Sequence, residues 1–127
     1  ETLNPSVYIP TGQASRYLQY YYIASNPNPV GKKNKLFDAG DGSIYSQAHA
    51  KYQPLFAEII EKFGYYDLFL INHKTGDIIY SYFKETDFAT SRLQGFYSDS
   101  TLTNLVQRVQ ANPTKGSIQV ADFKPYR

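Results

Sequence analysis

Tyr65-Tyr66-Asp67-Leu68-Phe69-Leu70-Ile71-Asn72, then His73-Lys74-Thr75-Gly76-Asp77, then Ile78-Ile79-Tyr80-Ser81-Tyr82-Phe83-Lys84 is the stretch that decides the fold. Two runs of aromatic and β-branched residues flank a Gly-containing turn, which predicts an antiparallel hairpin. Side chains alternate along a strand, so Tyr80, Tyr82 and Lys84 share one face and Ile79, Ser81 and Phe83 the other. A lysine beside two phenols suits a carboxylate. The ammonium neutralises it and the hydroxyls fill its remaining lone pairs. The competing reading pairs Lys84 with Glu85 or Asp87 at the rim.

Upstream of the hairpin the period is helical. Tyr17, Leu18, Tyr21 and Tyr22 predict a helix over 14–25, which Asn26-Pro27-Asn28-Pro29 ends. Residues 26–42 form a long loop whose Lys32, Lys33 and Lys35 read as a solvated face. A second helix is predicted from Ser43 to Phe63. Its apolar stripe is Tyr45, Ala48, Tyr52, Leu55, Phe56, Ile59, Ile60 and Phe63, Gly64 caps it, and Pro54 should kink or divide it. Downstream, 85–98 is polar and irregular. Ser98 or Asp99 caps a third helix through Leu102, Leu105, Val106 and Val109, and Ser117–Ala121 alternates as a third strand. Helices beside clustered strands make the fold class α+β.

The 127 residues fit a single domain, with helices over 1–63 and the sheet over 64–127. Net charge is +2, split evenly between the halves, which argues against a nucleic-acid partner. There is no Cys, which removes thiolate catalysis and thiolate metal sites, and two His exclude a three-histidine site. There is also no Met, so the chain reads as a processed or excised piece. Tyr and Phe, at 13 and 8, are the surplus, and tyrosine suits polar-lined pockets and recognition surfaces.

Nothing in the sequence assembles catalysis. There is no Gly-rich phosphate loop and no nucleophile elbow, and His49-x-x-Tyr52 lacks a second metal-spaced histidine. Glu85 and Asp87 read as polar loop residues. No enzyme activity, cofactor or metal is expected.

A longer pattern runs through the chain. It comprises Gly64-Tyr65-Tyr66-Asp67-Leu68-Phe69-Leu70-Ile71, Thr75-Gly76-Asp77-Ile78-Ile79-Tyr80-Ser81 and Phe83-Lys84-Glu85-Thr86-Asp87-Phe88-Ala89-Thr90-Ser91. Gly95, Tyr97, Asp99-Ser100 and Asp122-Phe123-Lys124-Pro125-Tyr126 continue it, and Asn26-Pro27-Asn28-Pro29-Val30-Gly31 and Asp41-Gly42-Ser43-x-Tyr45 precede it. Over residues 17–126 this resembles the PAS-like, single Cache sensor domain of bacterial methyl-accepting chemotaxis proteins. The resemblance implies an antiparallel sheet with long N-terminal helices on one side, whose C-terminal strands are absent from this chain.

The same resemblance implies a periplasmic sensor domain of an inner-membrane protein. Flanking transmembrane helices anchor it, and it is a homodimer through the 14–25 helix in the full receptor. Its ligand is a small carboxylate such as pyruvate, acetate or lactate, held between the sheet and residues 84–110. Lys84 binds the carboxylate, Tyr80, Tyr82 and Tyr97 supply hydroxyls or wall, Thr90 and Ser91 belong to the covering loop, and Phe69 adds apolar contact. Asp122 binds an amine, orients Lys84 or caps a strand. Departures from the pattern are Gln53, Arg92 and Phe96, and Arg92 is expected at the surface. Two alternatives stand: an amino-acid sensor using Lys84 and Asp122 together, and a protein-interaction module that uses the tyrosines and the 26–42 loop.

Overall fold

The hairpin forms, with a shorter ladder than its apolar runs suggest. The computed structural model describes residues 4–122. In it β1 (Phe69–Ile71) pairs antiparallel with β2 (Ile78–Ser81), in the register Phe69 to Ser81, Leu70 to Tyr80 and Ile71 to Ile78. The register slips between Leu70 and Ile71, so Ile79 is the extra residue of a bulge. Tyr45 donates its hydroxyl to the Ile79 carbonyl at 2.8 Å.

Three α-helices accompany the hairpin among the described residues, so the class is α+β as expected. They are α1 (Gln13–Gln19), which runs on as a π-helical turn over Tyr20–Ala24, α2 (Ile44–Phe63) and α3 (Thr101–Ala111). Ser43 caps α2 through the Ser46 amide, and Gly64 closes it in the left-handed region. Pro54 does not divide α2. It sits on the exposed side of the helix. The cap of α3 is Ser100, one or two residues beyond the predicted Ser98 or Asp99.

Two further expectations fail. Ser117–Ala121 is not a strand: residues 117–120 are exposed, with Ile118 at 83% and Val120 at 77%. Alternation supplies a strand face but not a partner, and β2's free edge is already taken. The Thr90 carbonyl accepts from Ile78, Ala89 donates to Ile78, and Arg92 donates to the Gly76 carbonyl at 2.8 Å. Residues 84–97 are thus a strap along the sheet edge. The second fails in part: the inward face of α2 carries Ser46, His49, Gln53 and Ile60, and of the expected stripe Tyr45, Phe56 and Ile60 pack inward while Tyr52, Leu55 and Phe63 are exposed. The reason lies across the interface. Tyr22 and Tyr80 bring hydroxyls inside, and buried hydroxyls need polar partners more than apolar ones.

Gly76 in the hairpin turn has φ +73°, and a Cβ there would stand 2.6 Å from Leu93 Cγ. Gly76→Ala is expected to cost about 2–3 kcal/mol from the disfavoured conformation and the overlap. Urea unfolding checks this, and a change under 0.5 kcal/mol, on the scale of an ordinary surface substitution, would refute it.

Candidate functional site

The buried polar groups converge where α1, α2, β2 and the strap meet. The hairpin is closed by Asp67, whose Oδ1 accepts from the amides of Leu68, Tyr82 and Phe83 at 2.7, 3.1 and 3.3 Å. Its burial raises its pKa. Beyond Ser81 the chain leaves the strand, and Lys84 adopts φ +58°. The alternation that would align Tyr80, Tyr82 and Lys84 therefore ends before Lys84. The turn instead drives the lysine inward, where 2% of it is exposed.

There the Lys84 ammonium sits over three rings, with centroids at 4.1 Å (Tyr80), 5.2 Å (Phe88) and 5.9 Å (Tyr22). Its Nζ donates to the Ser81 carbonyl. No carboxylate of the described residues lies within ion-pair distance, so neither Glu85 nor Asp87 pairs with it. Burial pushes its pKa down to about 7, opposed in part by the field of Asp67.

Helix α2 supplies the other wall. His49, 4% exposed, holds its Nδ1 2.7 Å from the Phe37 carbonyl. A carbonyl only accepts, so the proton is on Nδ1 and Nε2 is a bare lone pair without a partner among the described residues. Burial, with the Lys84 charge second, holds the His49 pKa down at about 4. Gln53, fully buried, accepts from the Tyr80 hydroxyl at 2.5 Å and donates to the Asn34 carbonyl at 2.7 Å. Tyr22 and Ser46 share a hydrogen bond of 2.7 Å, and Asn34 donates to the Tyr82 hydroxyl at 3.0 Å.

The strap is fastened by an ion pair. Arg92 is not at the surface as expected: none of it is exposed, and it meets Asp87 Oδ2 at 2.6 Å. Its guanidinium lies 5.2 Å from the Tyr97 ring centroid, and the Tyr97 hydroxyl bonds Thr86 Oγ1 at 2.9 Å. Lys33 also departs from expectation. It is buried, and its ammonium donates to the carbonyls of Ile23, Asn28 and Asn26 at 2.8, 3.0 and 3.4 Å, closing the end of the π-helical turn.

The eight residues expected at a ligand site fall in three places. Tyr80, Tyr82, Lys84 and Phe69 belong to the interior, Phe69 packing against the Tyr22, Ile78 and Phe88 cluster. Thr90, Ser91 and Tyr97 border an outer groove of about 590 Å³ along the strap. Asp122 lies apart, on a shallow groove with Arg108 and Asn104. Tyr22, His49, Gln53 and Phe88 were not expected in the site. One signal pointed to α2: Ser46, His49 and Gln53 stand at i, i+3 and i+7, the spacing of one helix face. Phe123, Lys124, Pro125 and Tyr126 of the quoted pattern lie outside the described residues.

Among the described residues no helix is long and apolar enough to cross a membrane, and no group of His, Asp or Glu is placed to hold a metal. The fold and site define an α+β domain with a buried, aromatic-boxed lysine. No protein-family model matches the chain, and no curated protein or solved structure matches it.

Proposed function

We propose that this chain is an extracytoplasmic ligand-sensing domain of a chemotaxis transducer, and that Lys84 binds a small carboxylate of the pyruvate, acetate or lactate class. One observation carries the ligand class. A lysine that is 2% exposed, in a left-handed backbone conformation, has three aromatic rings and one carbonyl around it and no counter-ion among the described residues. A buried charge is costly unless paired, and a carboxylate would supply the missing partner. The receptor setting rests on the sequence resemblance.

Signalling follows from the enclosure. The ligand reaches Lys84 when the strap parts from the β2 edge. Lys84 and Ala89 bracket the strap's first turn at φ +58° and +62°, a conformation disfavoured for residues with a Cβ. A ligand that binds the open or rearranged strap better than the closed one shifts the population between them. In a receptor dimer that shift moves the helices attached to the domain.

Binding requires the ammonium. Titration calorimetry with pyruvate, acetate and lactate is expected to give an affinity about tenfold higher at pH 6 than at pH 8, since Lys84 loses its proton through about pH 7. Lys84→Met should remove the binding. Absence of binding by all three acids at pH 6, or binding that survives Lys84→Met, refutes the assignment.

A further inference from the structure

The outer groove has a chemistry opposite to the interior. Residues 6–15 form one bank, and Asp77 with residues 89–97 form the other. Its volume of about 590 Å³ lies within the range of small-molecule pockets. Among the described residues one charged side chain lines it, Asp77. Among the described residues the Asp77 carboxylate accepts no hydrogen bond and joins no ion pair, although its backbone is fixed by the Asn72 amide and the bridge to Ser91.

Three rings stand in the same lining. Tyr8 packs on Phe96 with centroids 4.3 Å apart, and Phe96 meets Tyr97 edge-on at 5.2 Å. The nearby cation, Arg92, faces Tyr97 and is neutralised by Asp87. The Thr90 and Ser91 hydroxyls donate to the carbonyls of Asp87 and Thr75. A carboxylate entering this groove would meet a negative charge and no cation of its lining. An ammonium would meet a carboxylate and aromatic faces, the two groups that bind organic cations.

We propose that the groove between residues 6–15 and the strap is a second binding site, for a small organic ammonium compound, with Asp77 as its counter-ion and the Tyr8, Phe96 and Tyr97 rings as its wall. The strap then lies between two sites of opposite charge preference: Lys84 inside and Asp77 outside. Occupation of the groove fastens residues 6–15 to residues 89–97, so it holds the strap closed.

Choline chloride is the probe, with sodium chloride at equal ionic strength as the control. Titration of the 127-residue chain, followed by amide chemical shifts, is expected to show saturable binding with the largest shifts over 89–97. Asp77→Asn should weaken it about tenfold or more, the size of a lost charged contact. The side chain of Asp77 holds no element in place, so this variant should melt like the wild type. Phe96→Ala, a change at a half-exposed ring, should weaken it too while pyruvate binding at Lys84 persists. Sodium chloride reproducing the shifts, shifts centred elsewhere, or undiminished choline binding in both variants would overturn the proposal.

Discussion

Lys84→Met is expected to stabilise the ligand-free domain by roughly 2–4 kcal/mol at pH 6, although it removes the residue on which carboxylate binding depends. The methionine keeps an apolar stem of similar length among Tyr80, Phe88 and Tyr22 and deletes a charge that is almost wholly out of water. The burden of that charge appears in its pKa, which falls from 10.5 to about 7. The sign of the pH dependence follows. Below about pH 7 both folded and unfolded chains hold the proton, and the penalty is complete. Between pH 7 and 10 the unfolded chain keeps its proton while the folded one has released it, so stability rises with pH, by up to about 1.4 kcal/mol per unit. Asp67 opposes this in part, and His49, held down at about 4 in the folded chain, adds a smaller rise of its own that is complete once the unfolded histidine has lost its proton, by about pH 7.5. Urea unfolding at pH 6, 7, 8 and 9 measures it. Between pH 8 and 9 the wild type should still gain stability with pH, and Lys84→Met should not. A wild-type profile that is flat over this range would mean that water reaches the ammonium.

Arg92→Met should act in the opposite direction, with a loss of about 3–5 kcal/mol, the cost of breaking a buried ion pair by removing one partner. Asp87, 3% exposed, would keep its charge beside Phe88 and Thr90 without the guanidinium. Small domains have about 5–15 kcal/mol in total, so this single change should bring the chain close to unfolding at room temperature. Arg92→Lys should recover little, because an ammonium cannot reproduce the planar face set against Tyr97. The double variant Asp87→Leu with Arg92→Met should recover most of the loss, since it removes both charges. A double-mutant cycle by urea unfolding tests the coupling. Equal losses from the single and double variants would show that the pair does not hold the strap.

The readings that succeeded rest on local chemistry. The hairpin follows from two aromatic, β-branched runs around Thr75-Gly76-Asp77. The bounds of α2 follow from Ser43 and Gly64, and the end of the first helix from Asn26-Pro27. Each is set by residues within a few positions of one another, where backbone sterics and capping act without help. The readings that failed needed contacts that exist only once the chain has folded. Helical periodicity put Tyr52, Leu55 and Phe63 on the inner stripe with Tyr45, Phe56 and Ile60, and only the latter three pack inward. It could not know that the hydroxyls of Tyr22 and Tyr80 would draw Ser46 and Gln53 inward, and the Phe37 carbonyl His49. Arg92 looked like a surface residue until Asp87 folded back on it. Alternation in Ser117–Ala121 described a face with no free edge beside it.

Lys84 shows both levels in one residue. Its place at the end of the second aromatic run, next to Tyr80 and Tyr82, was legible as a cation among phenols. Period-two geometry put it on their strand face. The left-handed turn after Ser81 takes it off the strand and buries it. Local sequence therefore specified which elements form and which chemistries they carry. Assembly of α1, α2 and the strap around the hairpin specified which charges are buried, which are paired, and that among the described residues the Lys84 ammonium is left without a counter-ion, because burial and pairing depend on groups that meet only when the chain is folded.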